Sequence, residues 1–149
     1  MTDKELWHEF CAKSGTDEKT PYEAWQFGEA ADKLASLVKR GIKTATASAH
    51  AAYEADGERV PEAGDYSVIL DSEDNAVCVI KDTKVTLTPY RDVTEAHAFM
   101  EGEGDRTLAY WRQVHEPFFK DELAACGLDF DEDMIVVCEE FEVLYVGNN

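Results

Sequence analysis

A lysine flanked by hydroxyls stands in Gly41-Ile42-Lys43-Thr44-Ala45-Thr46, directly after a cationic stretch. A second polar run, Glu101-Gly102-Glu103-Gly104-Asp105-Arg106, alternates carboxylates with glycines. A lysine, a threonine and a carboxylate brought together make a hydrolytic site. Lys43 has two opposite uses: a neutral amine deprotonates a hydroxyl, and a cation holds a phosphate or an oxyanion. Burial, or the nearby Lys39 and Arg40, favours the neutral form; a close carboxylate favours the charged one. Thr46 is the natural hydroxyl partner, with Thr44 and Ser48 as competitors, and a threonine needs a neighbouring base to become a nucleophile. The plainer alternatives are a solvated lysine and a threonine that caps or turns the chain.

The carboxylates Glu101, Glu103 and Asp105 are of a type that binds hard cations, but their spacing and loop length do not match an EF-hand. They can instead orient water or pair with Lys43 or Arg106. Gly102 and Gly104 let the backbone take unusual angles near a ligand. The plainer reading is an acidic loop whose Asp105 caps the next helix. His8, His50, His97 and His115 share no metal spacing and read as surface or core-edge residues, with packing as the role of His115. No metal or cofactor is expected. Tyr110, Trp111, Phe118 and Phe119 read as core at helical spacing, with base stacking by Trp25 or Trp111 as the alternative.

The elements that must position these residues belong to a chain of 149 residues, enough for one domain with a hydrophobic core. Hydrophobic residues make up 44% and the net charge is -18. Such a surface repels nucleic acid and anionic membrane on average. From 33 to 50, however, Lys33, Lys39, Arg40 and Lys43 occur without an acid, a local +4 that leaves -22 on the rest. That island suits one anionic group or a short strand, not a long duplex; Lys39 and Arg40 also suit a helix C-terminus. Cys11, Cys78, Cys126 and Cys138 form no C-x-x-C pair and read as small buried hydrophobes in a reducing compartment. The polar N-terminus does not read as a signal peptide and no run is long enough to span a membrane, so a cytoplasmic location is expected.

Along the chain, periodicity predicts a helix over 2–13 with a capping box at Thr2 and Glu5, ended by Gly15. A polar link with Pro21 follows, then a helix over 28–40 closed by Gly41. Residues 44–53 are read as a loop into a helix, with Thr44 as N-cap, because alanine favours helix. Strands are predicted over 66–70, 76–80 and 84–87, the last two continuous if the chain runs straight through Asp82, with a hairpin turn at 71–75 and a stop at Pro89. A short helix opens at 93–95 and runs to about Met100. A long helical region runs from about 106 to 126, broken or restarted at Pro117. A final strand covers 135–146. The order is α+β.

Three blocks resemble bacterial members of the ASCH domain family (activating-signal-cointegrator homology). They are Trp25-Gln26-Phe27-Gly28 leading into residues 37–46, the run Glu101 to Arg106, and Tyr110-Trp111-Arg112-Gln113-Val114-His115 with Phe118-Phe119. The resemblance covers about 22–146. It implies a PUA-like fold, a small β-barrel with packed helices, and one domain over 1–149 with a helical extension at about 1–20. It also implies an RNA- or nucleoside-related role. Some relatives are amidohydrolases that deacetylate acetylcytidine, and ribonuclease activity on single strands occurs in the family; the alternatives to an amidohydrolase are a non-catalytic single-stranded RNA-binding module, suggested by the +4 island, and a metal-assisted ribonuclease using Glu101, Glu103 and Asp105. In the amidohydrolases a lysine and a threonine act with a later glutamate; these positions fall on Lys43, Thr46 and Glu101, with Glu103 as the near alternative. The expected partner is a small modified nucleoside or a short single-stranded RNA, held by Lys39, Arg40, Thr44, Trp25, Glu103, Asp105 and Arg106. Membrane and duplex DNA are not expected partners.

Overall fold

Thr2 begins the first helix, α1 (Asp3–Ser14), by accepting from the Glu5 backbone N–H while the Glu5 carboxylate accepts from the Thr2 N–H. Gly15, at φ 77°, ends it. This computed structural model describes residues 1–147. The chain continues through β1 (Tyr22–Gln26), α2 (Ala31–Lys39), β2 (Ala45–Ala49), α3 (His50–Asp56), β3 (Tyr66–Leu70) and β4 (Ala76–Pro89). A 3-10 turn (Tyr90–Asp92), α4 (Glu95–Glu101), α5 (Leu108–Ala125) and β5 (Ile135–Val146) complete it. The strands hydrogen-bond in the order β1-β3-β4-β5-β2. No helix among the described residues is long and apolar enough to cross a membrane.

The contacts divide the chain into two compact units. The first comprises, among the described residues, 1–42, 63–83 and 141–147. Here β1 pairs in parallel with β3, and β3 pairs antiparallel with β4. Alternation along β3 sends Val68 and Leu70 into one cluster with Leu6, Phe10 and Val79, and Ile69 into another with Phe27, Val38, Ile80 and Phe141. Both faces of the strand are covered, so residues 66–70 read as a nearly continuous apolar run rather than an alternating one. The Asp71 carboxylate accepts from the backbone N–H groups of Glu73 and Asn75, which makes the predicted hairpin turn.

The second unit comprises 43–62 and 84–140. β2 pairs antiparallel with β5, from Ala45 opposite Glu140 to Ala49 opposite Val136. Its core joins Ala49, Tyr90, Val93, Ala98, Trp111, Phe119, Val136 and Cys138.

Several expectations need correction. Residues 45–49 form a strand, and only 50–56 are helical. The ladder with β5 outweighs the helical preference of alanine, which amounts to tenths of a kcal/mol per residue. Thr44 is therefore no N-cap; its hydroxyl and its N–H both donate to the Met100 carbonyl. Thr107, not Asp105, caps α5, and Asp105 accepts from the Thr107 N–H and hydroxyl. α5 also runs unbroken through Pro117. Pro117 and Gln113 are both exposed, so the carbonyl that loses its intrahelical N–H can be satisfied by water. Finally, α2 starts at Ala31 rather than 28, because Ala30 adopts φ 54°, and β1 within the polar link was not predicted.

Candidate functional site

Helix α4 exposes one side and buries His97, Ala98 and Glu101 on the other. Helix α5 buries Trp111, His115, Phe119 and Leu123 at four-residue steps. Each pattern is a helical stripe, but two of the four-residue pairs, His97–Glu101 and Trp111–His115, carry polar groups inward. The backbone of Thr44 is tied to the last turn of α4 through the Met100 carbonyl at 2.7 Å. That tie delivers Lys43 to the same place.

Glu101 is 2% exposed and Lys43 1%. The Lys43 ammonium lies 3.2 Å from Glu101 Oε1, 3.3 Å from Glu103 Oε2 and 3.4 Å from the Glu101 carbonyl. Glu101 Oε2 accepts from Trp111 Nε1 at 2.5 Å and from His97 Nε2 at 2.7 Å. His115 Nε2 lies 3.5 Å from Oε1. The two oxygens of one carboxylate thus have separate partners, Oε2 facing an indole and an imidazole and Oε1 facing the ammonium and a second imidazole. Burial opposes ionisation of Glu101 most strongly. It is outweighed by the Lys43 charge, then by hydrogen bonds from His115 and His97, and the carboxyl is held well below its ordinary range. A buried carboxylate needs this many partners, since a lone one is heavily penalised.

His115 Nδ1 lies 2.9 Å from the Trp111 carbonyl. A carbonyl only accepts, so this contact places a proton on Nδ1. The ring stacks on Trp111 with centroids 4.2 Å apart and planes 13° apart. Beside this cluster lies a small, partly open hollow, lined by Glu101, Glu103, Tyr110, Trp111, Val114 and His115 together with Ala98 and Thr107. Gly104 permits the loop here. It sits at φ 58°, and a Cβ on it would lie 2.4 Å from the Tyr110 ring.

Of the sequence-predicted residues, Lys43, Glu101 and Glu103 meet directly, and Thr44 anchors the segment. Thr46 lies opposite Glu139 on β2. Alternation along that strand groups it with Ser48, whereas Ala45, Ala47 and Ala49 turn toward the core. Asp105 serves Thr107, and Arg106 donates through Nε to the Phe99 carbonyl while covering the Phe99 ring at 3.6 Å. Trp25, Lys39 and Arg40 belong to the first unit; Trp25 packs edge-on to Phe27. Sequence reasoning gave His97 and His115 no part in the site and named Trp111 only as an alternative base-stacking residue. Their signal was present in the i, i+4 spacing of a histidine with Glu101 and of a tryptophan with a histidine. Glu101, Glu103 and His115 also present ligand atoms within 4.8 Å of one another, a spacing compatible with one divalent ion.

The chain is α+β and buries an ammonium and a carboxylate beside a hollow lined by Tyr110 and Trp111. The ASCH domain profile matches residues 23–145, and the chain belongs to the ASCH domain family, with its PUA-like fold. The crystal structure of an ASCH domain from Lactobacillus crispatus JV V101 is 33% identical, covers 95% of each chain and superposes with a TM-score of 0.85. Protein EF3133 from Enterococcus faecalis V583 is 38% identical over 96% of this chain and 88% of its own, with a TM-score of 0.87. Hypothetical protein PH0355, at 15% identity and a TM-score of 0.55, shares the fold alone. No curated protein matches the chain.

Proposed function

We propose that this ASCH domain hydrolyses a small acylated nucleoside, with acetylcytidine as the first substrate to test. The observation that carries this reading is the buried Lys43–Glu101 pair beside a hollow walled by Tyr110 and Trp111. The ammonium supplies positive charge for a developing oxyanion, and low exposure strengthens that interaction. Glu101 orients the lysine, and Glu103 stands at the rim, 19% exposed, where it can accept from a ligand N–H. Thr46 is retained as the proposed nucleophile on the strength of the Lys-Thr-x-Thr resemblance, although strand alternation turns it from the side where Lys43 meets Glu101. A net charge of -18 favours a small ligand over long RNA.

The test is turnover of acetylcytidine by the purified chain, with Lys43→Met and Thr46→Ala beside it. Loss in both variants, each still folded, supports the full assignment. Activity that survives Thr46→Ala transfers the attack to water. No turnover by the wild type overturns the reading.

A second reading rests on the Glu101, Glu103 and His115 cluster: metal-assisted cleavage of short single-stranded RNA. Asp105, engaged by Thr107, has no part in it. Cleavage that stops with a chelator and returns with a divalent ion separates it from the first.

A further inference from the structure

Two aromatic rings line the hollow, Tyr110 and Trp111, and their neighbours make them unequal. Trp111 is buried. One face of its indole stacks on His115, Tyr90 and Phe119 pack against it at a tilt, and its N–H donates to Glu101. Tyr110 is only half-buried. A Cβ on Gly104 would stand 2.4, 2.4 and 2.6 Å from its Cε2, Cζ and Cδ2. An approach in the plane of the ring would leave Cδ2 much farther away than the other two atoms, so the Gly104 backbone lies over the ring face. Among the described residues no ring or cation covers the other face, and the hydroxyl has no hydrogen-bond partner. The hollow is also small. A pyrimidine does not enter it whole; an acyl group can point inward while the base stays at the mouth.

We propose that Tyr110 is the platform on which the base of the ligand stacks, and that it makes the site selective for amides of a planar heteroaromatic amine over aliphatic amides. The Gly104 backbone holds the ring from behind, which a side chain at that position would prevent. Glu103 stands at the same mouth, 19% exposed. Its Oε2 faces Lys43, which leaves Oε1 to accept from an N–H of the ligand. The stacking role thus falls on the ring whose face is open rather than on Trp111, whose face and N–H are both engaged inside the protein. Tyr110 determines specificity and has no part in bond making or breaking.

This inference rests on the hydrolase reading and adds to it the chemistry of the leaving group. Base stacking on an aromatic side chain changes affinity by roughly 5- to 100-fold. The experiment compares the wild type with Tyr110→Phe and Tyr110→Leu in two ways. Cytidine binding is followed by NMR, and turnover is measured on acetylcytidine and on the aliphatic amide N-acetylbutylamine. The expected result is saturable cytidine binding to the wild type with upfield ring-current shifts of its H5 and H6 protons. Tyr110→Phe should retain it, and Tyr110→Leu should weaken it by about 5- to 100-fold. The preference for acetylcytidine over the aliphatic amide should fall in Tyr110→Leu by a similar factor. Unchanged cytidine affinity in Tyr110→Leu, or no saturable binding to the folded wild type, overturns the proposal. If Tyr110→Leu does not fold, nuclear Overhauser cross-peaks in the wild type decide: contacts from cytidine H5 and H6 to the Tyr110 ring support the platform, and their absence in the saturated complex sinks it. Cytidine stacked on Tyr110 without turnover of acetylcytidine refutes the hydrolase reading and keeps the platform. Turnover of acetylcytidine that is indifferent to Tyr110→Leu refutes the platform and keeps the hydrolase reading.

Discussion

In the first unit the deepest side chains are apolar: Leu6, Val38, Val68, Ile69 and Val79 are fully enclosed, and Asp82 is the one buried carboxylate there among the described residues. In the second unit Lys43, His97, Glu101, His115 and Glu139 are buried alongside Tyr90, Trp111 and Phe119. Both units bury enough apolar area to hold their strands, but only the second places an ammonium, a carboxylate and two imidazoles in contact inside. Apolar packing of similar volume is as stabilising as a buried ion pair, or more so. The first unit demonstrates that this chain can build such packing, so folding alone gives no reason for the ionic cluster in the second.

The sharpest way to break that contrast is to empty each core in turn. Phe10→Ala removes a ring from the first unit and costs about 3–5 kcal/mol. Its turnover per folded molecule should stay at the wild-type level in assays below its lowered Tm. Lys43→Met leaves Glu101 buried without its cation and costs about 3–5 kcal/mol as well. Adding Glu101→Gln should recover much of that stability in denaturant melts, while turnover stays absent. If activity returns with stability, the pair is structural and the contrast collapses.

Acid titration sharpens the same point. The Glu101 carboxyl ionises more readily in the folded state than its ordinary value near 4.5, burial being overcome chiefly by Lys43. The stability it contributes is therefore fully present above about pH 4.5 and is lost as pH falls toward the folded value. Chemical unfolding between about pH 6 and pH 2.5 should show this loss in the wild type and a flatter acid limb in Glu101→Gln. Parallel curves would mean that Glu101 is not the linked group.

A smaller effect is expected at Gly104. An alanine there meets the Tyr110 ring and holds a left-handed backbone, costing roughly 1–3 kcal/mol. KM should rise more than kcat falls, because Tyr110 walls the hollow. The smallest effects concern two caps. Thr2→Ala and Thr107→Ala each lose one N-cap bond, about 1 kcal/mol. Only Thr107 borders the hollow, so only Thr107→Ala should alter KM.

Much of the fold was legible because local chemistry and tertiary packing agree. The Thr2 capping box, the 66–70 strand, the Asp71 turn and the Thr94 start of α4 are all specified within a few residues. The segment 45–49 was not legible, because its alanines favour helix and its strand state depends on a partner some 90 residues further along. Dependence on tertiary packing hid half the site as well. Lys43 and Glu101 could be nominated from their types, but the contribution of His97, Trp111 and His115 depends on two helices presenting their inward faces to each other. In the sequence these residues look like ordinary stripe members, and only the indole N–H pointed at a carboxylate separates them from packing.

Trp111 also gives the site an optical handle. Its indole lies face to face with His115 and donates to Glu101. Imidazolium quenches an excited indole more strongly than imidazole does, so the emission of this tryptophan should dim as His115 gains a proton. Replacing Trp7 and Trp25 with phenylalanine would leave a single fluorophore, and its brightness would report the charge state of the cluster in real time, without any added label.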